Sequence, residues 1–503
     1  METLWLSLQL VAMAAAAAAL GFLALLALRL RRIDACLALV PQAKGGIPLL
    51  GHALLLVKGR PWTLMAEWCR SAGNIVTFQM ADQRVVYVTH PKLIKRVLLT
   101  NHRNYHKDLS SSYKHFMCIL GKGLVTSEGE KWRKGRLLLS HALRIDILDE
   151  VPAIALDGFS RLATKLASGN LVDLNEEYRH LTLQVICRAA LSLSPEEADA
   201  IFPALYLPIV HECNRRVWEP WRQFMPFLAG FRERRSCLAA LNKVLGDAIR
   251  QRWAQRKTET AGQRHQDILD VCMSQLDQCD EATVRQLTDD TKTMLLAGHE
   301  TSAALLTWAT YELMAHPEML AHVRAEGEAV FGPHIKAGTV PTMDDVRRLR
   351  WTPAVLRETL RKHSVVPLVM RVAVDDDVFT AADSGLGHDV TIPSGCTVAV
   401  GIEGVHHRSD VWPNPSAFLP QRFLDDQMDH IDPYGFIPFI NGPRNCLGQH
   451  LSLAETQLVL CYTVTMFELT PKMTDMAALG QPHEFIVPVV PKHGLAVTGQ
   501  RTL

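Results

Sequence analysis

The sequence has almost no net charge. Lys and Arg number 53 against 52 Asp and Glu, leaving +1 over 503 residues. A chain that binds nucleic acid through its bulk charge is one-sided, so no nucleic acid is expected as partner. The eleven cysteines are an odd number, thinly spread, and no C-x-x-C pair occurs. That argues against a disulfide framework or a structural zinc site and fits a reducing compartment. His299-Glu300 does not open a zinc-protease motif, because Ala303 stands where the second histidine would be. His406-His407 is assigned no metal. No internal repeat is visible, and Ala14–Ala19 is the only low-complexity run. With 48% hydrophobic and 21% charged residues, the composition is globular and excludes a disordered, collagen-like or coiled-coil chain.

Long apolar runs are also absent, with one exception. Leu4–Leu28 contains no charged residue. As a helix it is roughly 37 Å long, enough for a hydrocarbon core of about 30 Å. Arg29, Arg31 and Arg32 follow, while Glu2 is the only charge before it. The positive-inside rule then places the bulk of the chain in the cytosol. Residues 1–30 are therefore expected to be a transmembrane anchor, residues 31–52 a basic, Pro- and Gly-rich linker, and residues 53–503 one soluble domain. A cleaved signal peptide is the rival reading. It lacks a basic leading region, and its apolar run is too long. A plastid-targeting segment is a further alternative, although Ser and Arg are lacking ahead of the run.

Beyond the linker, residues 60–320 follow helical spacing of apolar residues. Ile75–Thr89 interrupts it with two alternating runs flanking Ala81-Asp82, a hairpin signal. Helical pattern resumes over 343–363, within which Thr352-Pro353 is a good start for the helix that carries Glu358 and Arg361. Short strands are expected over 368–402, irregular structure over 411–445, and a last helix from Cys446 to Phe467. The polar stretch Trp253–Gln266 reads as a surface loop. The fold class is mainly α (α+β): one large helical domain with small sheets.

One stretch carries chemistry by itself. Phe439-Ile440-Asn441-Gly442-Pro443-Arg444-Asn445-Cys446-Leu447-Gly448 places a cysteine between two glycines, ahead of a helix. Backbone N–H groups at a helix start stabilise a thiolate. Glycine lets backbone approach a flat ring, and Arg444 offers a fixed charge for a carboxylate. The filled pattern F-x-x-G-x-R-x-C-x-G resembles the haem-ligand loop of the cytochrome P-450 family, eukaryotic membrane-anchored type. The resemblance spans residues 41–498 and implies the P-450 fold with haem b as cofactor, Cys446 as the iron's axial ligand, and Gly442 and Gly448 beside the ring.

Other blocks resemble the same family in the same order. Ala297-Gly298-His299-Glu300-Thr301-Ser302 looks like its oxygen-activation motif, which makes Glu300 and Thr301 the expected catalytic pair. Trp132 and Arg136 match W-x-x-x-R and, with Arg371 and Arg444, are the expected holders of the haem propionates. Glu358 and Arg361 match E-x-x-R, and Arg422 in Pro415–Phe423 matches their third partner; by resemblance the three are structural. Departures from the pattern lie at Ile440, where many members have a small residue, and at Lys362-His363-Ser364, which replaces an apolar residue and proline.

The expected activity is monooxygenation: one atom of dioxygen enters a lipophilic substrate, with electrons from an NADPH-dependent reductase, or from ferredoxin if the protein is in a plastid. Fatty acid, carotenoid, sterol or other terpenoid and xenobiotic substrates all remain open. The run AGHETSAALLTWA and the linker look most like lipid- and carotenoid-hydroxylating branches. The expected location is the endoplasmic reticulum membrane, single-pass, with a plastid membrane as alternative. The competing functions are a haem-thiolate isomerase or dehydratase acting on hydroperoxides, which needs no reductase, and a non-catalytic haem-binding membrane protein.

Overall fold

The structure, a computed structural model, describes residues 2–58, 61–143, 145–256, 267–424, 430–483 and 487–502. Its backbone divides into two compact units.

The first unit comprises Met1–His106 and Leu368–Gly404. Its sheet begins with the expected hairpin, in which Ile75–Met80 pairs antiparallel with Gln83–Val88. Ala81 holds φ +52° in the connecting turn, the left-handed conformation that tight hairpins require. Val85–Val88 continues in parallel with Thr397–Val400, which pairs antiparallel with Leu368–Val372. Trp68, Phe78 and Tyr87 fill one face. Glu2–Cys36 forms a single helix. Its last turns belong to this unit's packing: Ile33 and Leu37 are buried, Arg29 donates to the Gly395 carbonyl at 3.0 Å, and Arg32 pairs with Asp376 at 2.5 Å. Two of the three arginines that follow the uncharged run thus have partners in the fold. Among the described residues, no helix is long and apolar enough to cross a membrane. Many side chains of the anchor segment, those of residues 2–4, 6–12, 19, 22 and 23, lie outside the described set.

The second unit, Lys107–Pro367 with Val405–Leu503, is mainly helical. Its axis is the 35-residue helix Glu281–Ala315. The Asp280 carboxylate caps it by accepting from Thr283 N at 2.8 Å. From Ser302 to Thr310 every residue is buried, the mark of a helix surrounded by others. Leu174–Leu191 and Gln449–Met466 pack on it, with Tyr178, Ala303, Leu306, Leu458 and Tyr462 in one apolar cluster. Gly298 is explained here. A Cβ on it would lie 2.8 Å from Ile186, so glycine lets the two helices approach.

Two helix starts differ from expectation. The last helix begins at Gln449, with Gly448 as its N-cap, so Cys446 lies in the loop ahead of it. The helix predicted from Thr352 begins at Trp351. Glu326, on the neighbouring helix Pro317–Ala337, caps it: its carboxylate accepts from the backbone N–H groups of Trp351 and Thr352, both at 2.9 Å. Of the polar stretch Trp253–Gln266, residues up to Gln255 are helical, and 257–266 lie outside the described residues.

Candidate functional site

The cysteine loop hangs from a buried ion pair. Arg361 and Glu358 have no exposed side-chain surface and meet in a two-pronged pair at 2.8 and 2.9 Å. The remaining guanidinium N–H groups donate to the carbonyls of His406 (3.0 Å), Pro415 (2.8 Å) and Ala417 (3.0 Å). All five arginine donors are therefore used, and the irregular segment 406–419 is fixed to the Trp351–Lys362 helix. Arg422 joins more loosely, with its Nε 3.5 Å from Glu358. The sequence triad is thus brought together.

His406 carries this order onward. Its Nε2 accepts from Ile437 N at 2.9 Å, and its Nδ1 lies 3.2 Å from Ser364 Oγ. An Nε2 that accepts leaves the ring proton on Nδ1. Burial, and then the charges of His407 and Arg361, hold its pKa well below the usual histidine value, so the ring stays neutral. Three residues after Ile437, Ile440 takes φ +58° and Gly442 φ +84°. A β-branched residue in that region is uncommon and strained. The turn closes with Cys446 N donating to Phe439 O at 2.8 Å.

The Cys446 side chain is accessible yet ringed by protein, as a residue on a cavity wall is. Burial pushes its thiol up, while the Gly448 N–H and the Arg136 charge favour the thiolate. Gly448 faces open space: a Cβ there would meet nothing within 4 Å. Arg136, on the Gly129–Ala142 helix, holds the loop by donating to the Asn445 carbonyl at 2.6 Å and to its side-chain oxygen. Arg444 lies over the Trp132 ring at 3.9 Å, donates to Ser127 O at 2.8 Å and pairs with Glu128. Desolvation brings its pKa down to about 10. Arg371 belongs to the first unit's sheet, where its buried guanidinium donates to its neighbour's carbonyl at Met370.

The Glu281–Ala315 helix offers a second surface. Ala297, Gly298 and Thr301 form an accessible stripe at helical spacing, just before the fully buried stretch. Thr301 Oγ1 donates to Ala297 O at 2.8 Å. Glu300, one residue earlier, faces elsewhere. It is buried against Arg179 (2.7 Å), and His299 Nε2 lies 3.3 Å from the same oxygen. Burial opposes ionisation, but His299 and Arg179 outweigh it and bring the carboxyl to about 2. Arg179 also reaches the more exposed Glu176 at 3.2 Å. The acid and the alcohol are therefore adjacent in sequence but lie on different faces.

Sequence reading missed Arg179, Glu128 and Glu455. Glu455, fully buried on the last helix, has its pKa raised to about 8 by burial, against a hydrogen bond with Ser302. Ser302 in turn lies 2.8 Å from Ser452, hydroxyl to hydroxyl. The signal for Glu455 was a lone acid in an apolar helix. The other two carried none, because their partners are 121 and 316 residues away. Lys362-His363 also finds its reason here. Both reach the buried Glu312, with Lys362 Nζ at 3.0 Å, and His363 stacks on Trp308 at 4.0 Å.

Comparison with known proteins agrees with this geometry. The cytochrome P-450 family model matches residues 41–492. Among curated relatives, cytochrome P-450 4c21 of Blattella germanica is 27% identical over 83% of this chain and 85% of its own length. The chloroplastic protein LUTEIN DEFICIENT 5 of Arabidopsis thaliana is 26% identical over 85% of this chain and 71% of its own. Cyclooctat-9-en-7-ol 5-monooxygenase of Streptomyces melanosporofaciens is 27% identical over 85% and 89%. The crystal structure of the cytochrome P-450DA haem domain superposes with a TM-score of 0.77 at 22% identity, covering 92% of this chain and 98% of that one. A match over nine-tenths of the sequence, on the same fold, makes this chain a member of the cytochrome P-450 family, haem-b enzymes that bind their iron through a cysteine thiolate and act as monooxygenases.

Proposed function

We propose that Cys446 is the thiolate that holds the haem iron and that the enzyme hydroxylates a lipophilic substrate, with electrons from a separate reductase. The residues fit such a group. A thiol on a cavity wall, a glycine with open space beside it and an accessible helical stripe at Thr301 leave room for a flat ring. Arg136, Arg444 and Trp132 would supply N–H donors and positive charge for its propionates; Arg371 is kept as a propionate holder by resemblance alone. For Arg444 this means exchanging Glu128 for a propionate. Bound there, haem supplies dioxygen activation, which electron donation from the thiolate favours.

The observation that supports the reading is Thr301, a hydroxyl on the accessible side of the Glu281–Ala315 helix, one turn after the exposed Ala297. Its Oγ1 can turn from the Ala297 carbonyl to hold a water. Glu300 is ionised at neutral pH and is held by Arg179 on another face of the helix, so it neither stores a proton for that water nor touches it. Glu455, raised to about 8 by burial, is a carboxyl that keeps its proton at neutral pH. Arg179 links Glu300 to Glu176 and so toward solvent.

Thr301→Ala is expected to keep haem content and substrate affinity while product per NADPH falls roughly 10²-fold, the low end of what positioned proton transfer supplies. The missing electrons should appear as hydrogen peroxide. Product, NADPH and peroxide counted together check this. An unchanged ratio removes Thr301 from the mechanism, whereas product formed with no NADPH consumed favours a rearrangement instead.

The lipophilic substrate class is supported by the relative named for monooxygenation of cyclooctat-9-en-7-ol. The substrate itself remains open among fatty acids, carotenoids, sterols and other terpenoids. We also read residues 1–28 as a membrane anchor, with the enzyme at the endoplasmic reticulum or, as an alternative, a plastid membrane. This is supported by the uncharged run and by Trp5, Met13, Leu20 and Leu25, all about two-thirds exposed. Deleting residues 1–28 keeps Arg29, Arg32 and Ile33 in place, so haem content should be unchanged while the protein moves toward the soluble fraction. Some membrane affinity should persist through exposed Leu49, Leu50 and Leu54. If the truncated protein fails to fold, the segment is core and not anchor.

A further inference from the structure

Apart from the residues assigned to haem, the second unit brings two further cysteines together. Cys118 lies in the helical turn Met117–Leu120 and Cys213 in the helix Leu207–Trp218, with their sulfurs 3.6 Å apart. They are 95 residues apart in sequence, so no spacing rule joins them. Cys118 is partly exposed, whereas Cys213 is fully buried among Tyr206, Ile209 and Val210. The two differ chemically. The S–H of Cys213 bonds to Cys118 and, against the cost of burial, brings the Cys118 thiol down to about 6, helped by the Arg234 and Lys292 charges. The carbonyl of His115, 3.6 Å from the Cys118 sulfur, is the contact that favours the thiol. Burial and the shared bond push Cys213 up. The more exposed, more acidic sulfur thus lies against a buried one, the arrangement of an attacking and a resolving thiol.

We propose that Cys118 and Cys213 form a peroxide-oxidised dithiol site, in which Cys118 is attacked first and Cys213 resolves it into a disulfide. The Cys118 thiolate attacks one oxygen of hydrogen peroxide. The O–O bond breaks, hydroxide leaves and takes up a proton, and Cys118 becomes a sulfenic acid. The Cys213 sulfur then attacks the Cys118 sulfur, the S–O bond breaks, and water departs with the Cys213 proton. Two thiols and one peroxide give one disulfide and two waters. The sulfurs must close from 3.6 Å to about 2.05 Å. The chemistry does not depend on the enzyme's own reaction, although electrons lost from monooxygenation would supply the same oxidant.

The bond would fasten a segment already tied at its other end. After Leu120, Lys122 N donates to Asp289 at 2.9 Å and Leu124 N to Asp290 at 3.0 Å, both on the Glu281–Ala315 helix. Oxidation would therefore hold Tyr113–Cys118 to the Leu207–Trp218 helix, and amide exchange in that segment should slow.

The test treats purified full-length holoprotein with stoichiometric hydrogen peroxide, quenches with catalase, alkylates remaining thiols and maps tryptic peptides by mass spectrometry. The expected result is the loss of two alkylatable thiols, a cross-linked Cys118–Cys213 peptide, and its disappearance with dithiothreitol. Cys213→Ser should leave a sulfenic acid at Cys118 that dimedone captures. Cys118→Ser should yield neither adduct nor cross-link. Untreated protein should alkylate fastest at Cys118, a reading that needs no variant. Both thiols remaining alkylatable after peroxide, or oxidation falling first on other cysteines, would overturn the proposal.

Discussion

Glu358→Ala and Arg361→Ala are each expected to yield little folded holoprotein. Either change leaves one charge of a fully buried pair without its partner. Breaking such a pair costs about 3–5 kcal/mol, against a total stability of roughly 5–15 kcal/mol for a domain. Arg361→Ala does more, because it also releases the carbonyls of His406, Pro415 and Ala417. Those carbonyls order the segment leading to Ile437 and the cysteine loop. Arg361→Lys should rescue little, since an ammonium cannot reproduce five planar donors. Arg422→Ala should cost about 1 kcal/mol, because its contact with Glu358 is longer and partly solvated. Thermal unfolding and haem incorporation of the purified variants check this ranking. If Glu358→Ala accumulates as normal holoprotein, the pair does not hold the loop.

What could be read in the sequence was local. The hairpin at Ala81-Asp82, the E-x-x-R pair and the cysteine loop each lie within about a dozen residues, where alternation, helical spacing and glycine placement act directly. What escaped was long-range complementarity. Glu326 caps a helix 25 residues downstream, and Arg179 neutralises Glu300 across 121 residues. Lys362-His363 looked like a departure because its partner, Glu312, lies 50 residues earlier. Glu300 and Thr301, adjacent in sequence, face different ways. Adjacency in sequence suggested a joint site, but successive helical residues point about 100° apart, and burial separates them. The left-handed Ile440 carried no signal, since nothing about isoleucine favours that conformation. Gly298 did carry one, but glycine reports close approach without saying what approaches.

Cys446→Ala is expected to abolish thiolate ligation and all monooxygenase turnover. No other cysteine can take its place in the loop between Gly442 and Gly448. Folding should survive, because the Cys446 side chain is accessible and its backbone N–H, which bonds Phe439 O, is retained. The most direct test of the account is therefore the absorption spectrum of freshly prepared, reduced protein under carbon monoxide, wild type beside Cys446→Ala. The wild type should show the strongly red-shifted band of thiolate-ligated haem and the variant should lack it. A band typical of histidine ligation in the fresh wild type, or the red-shifted band persisting in Cys446→Ala, would contradict it.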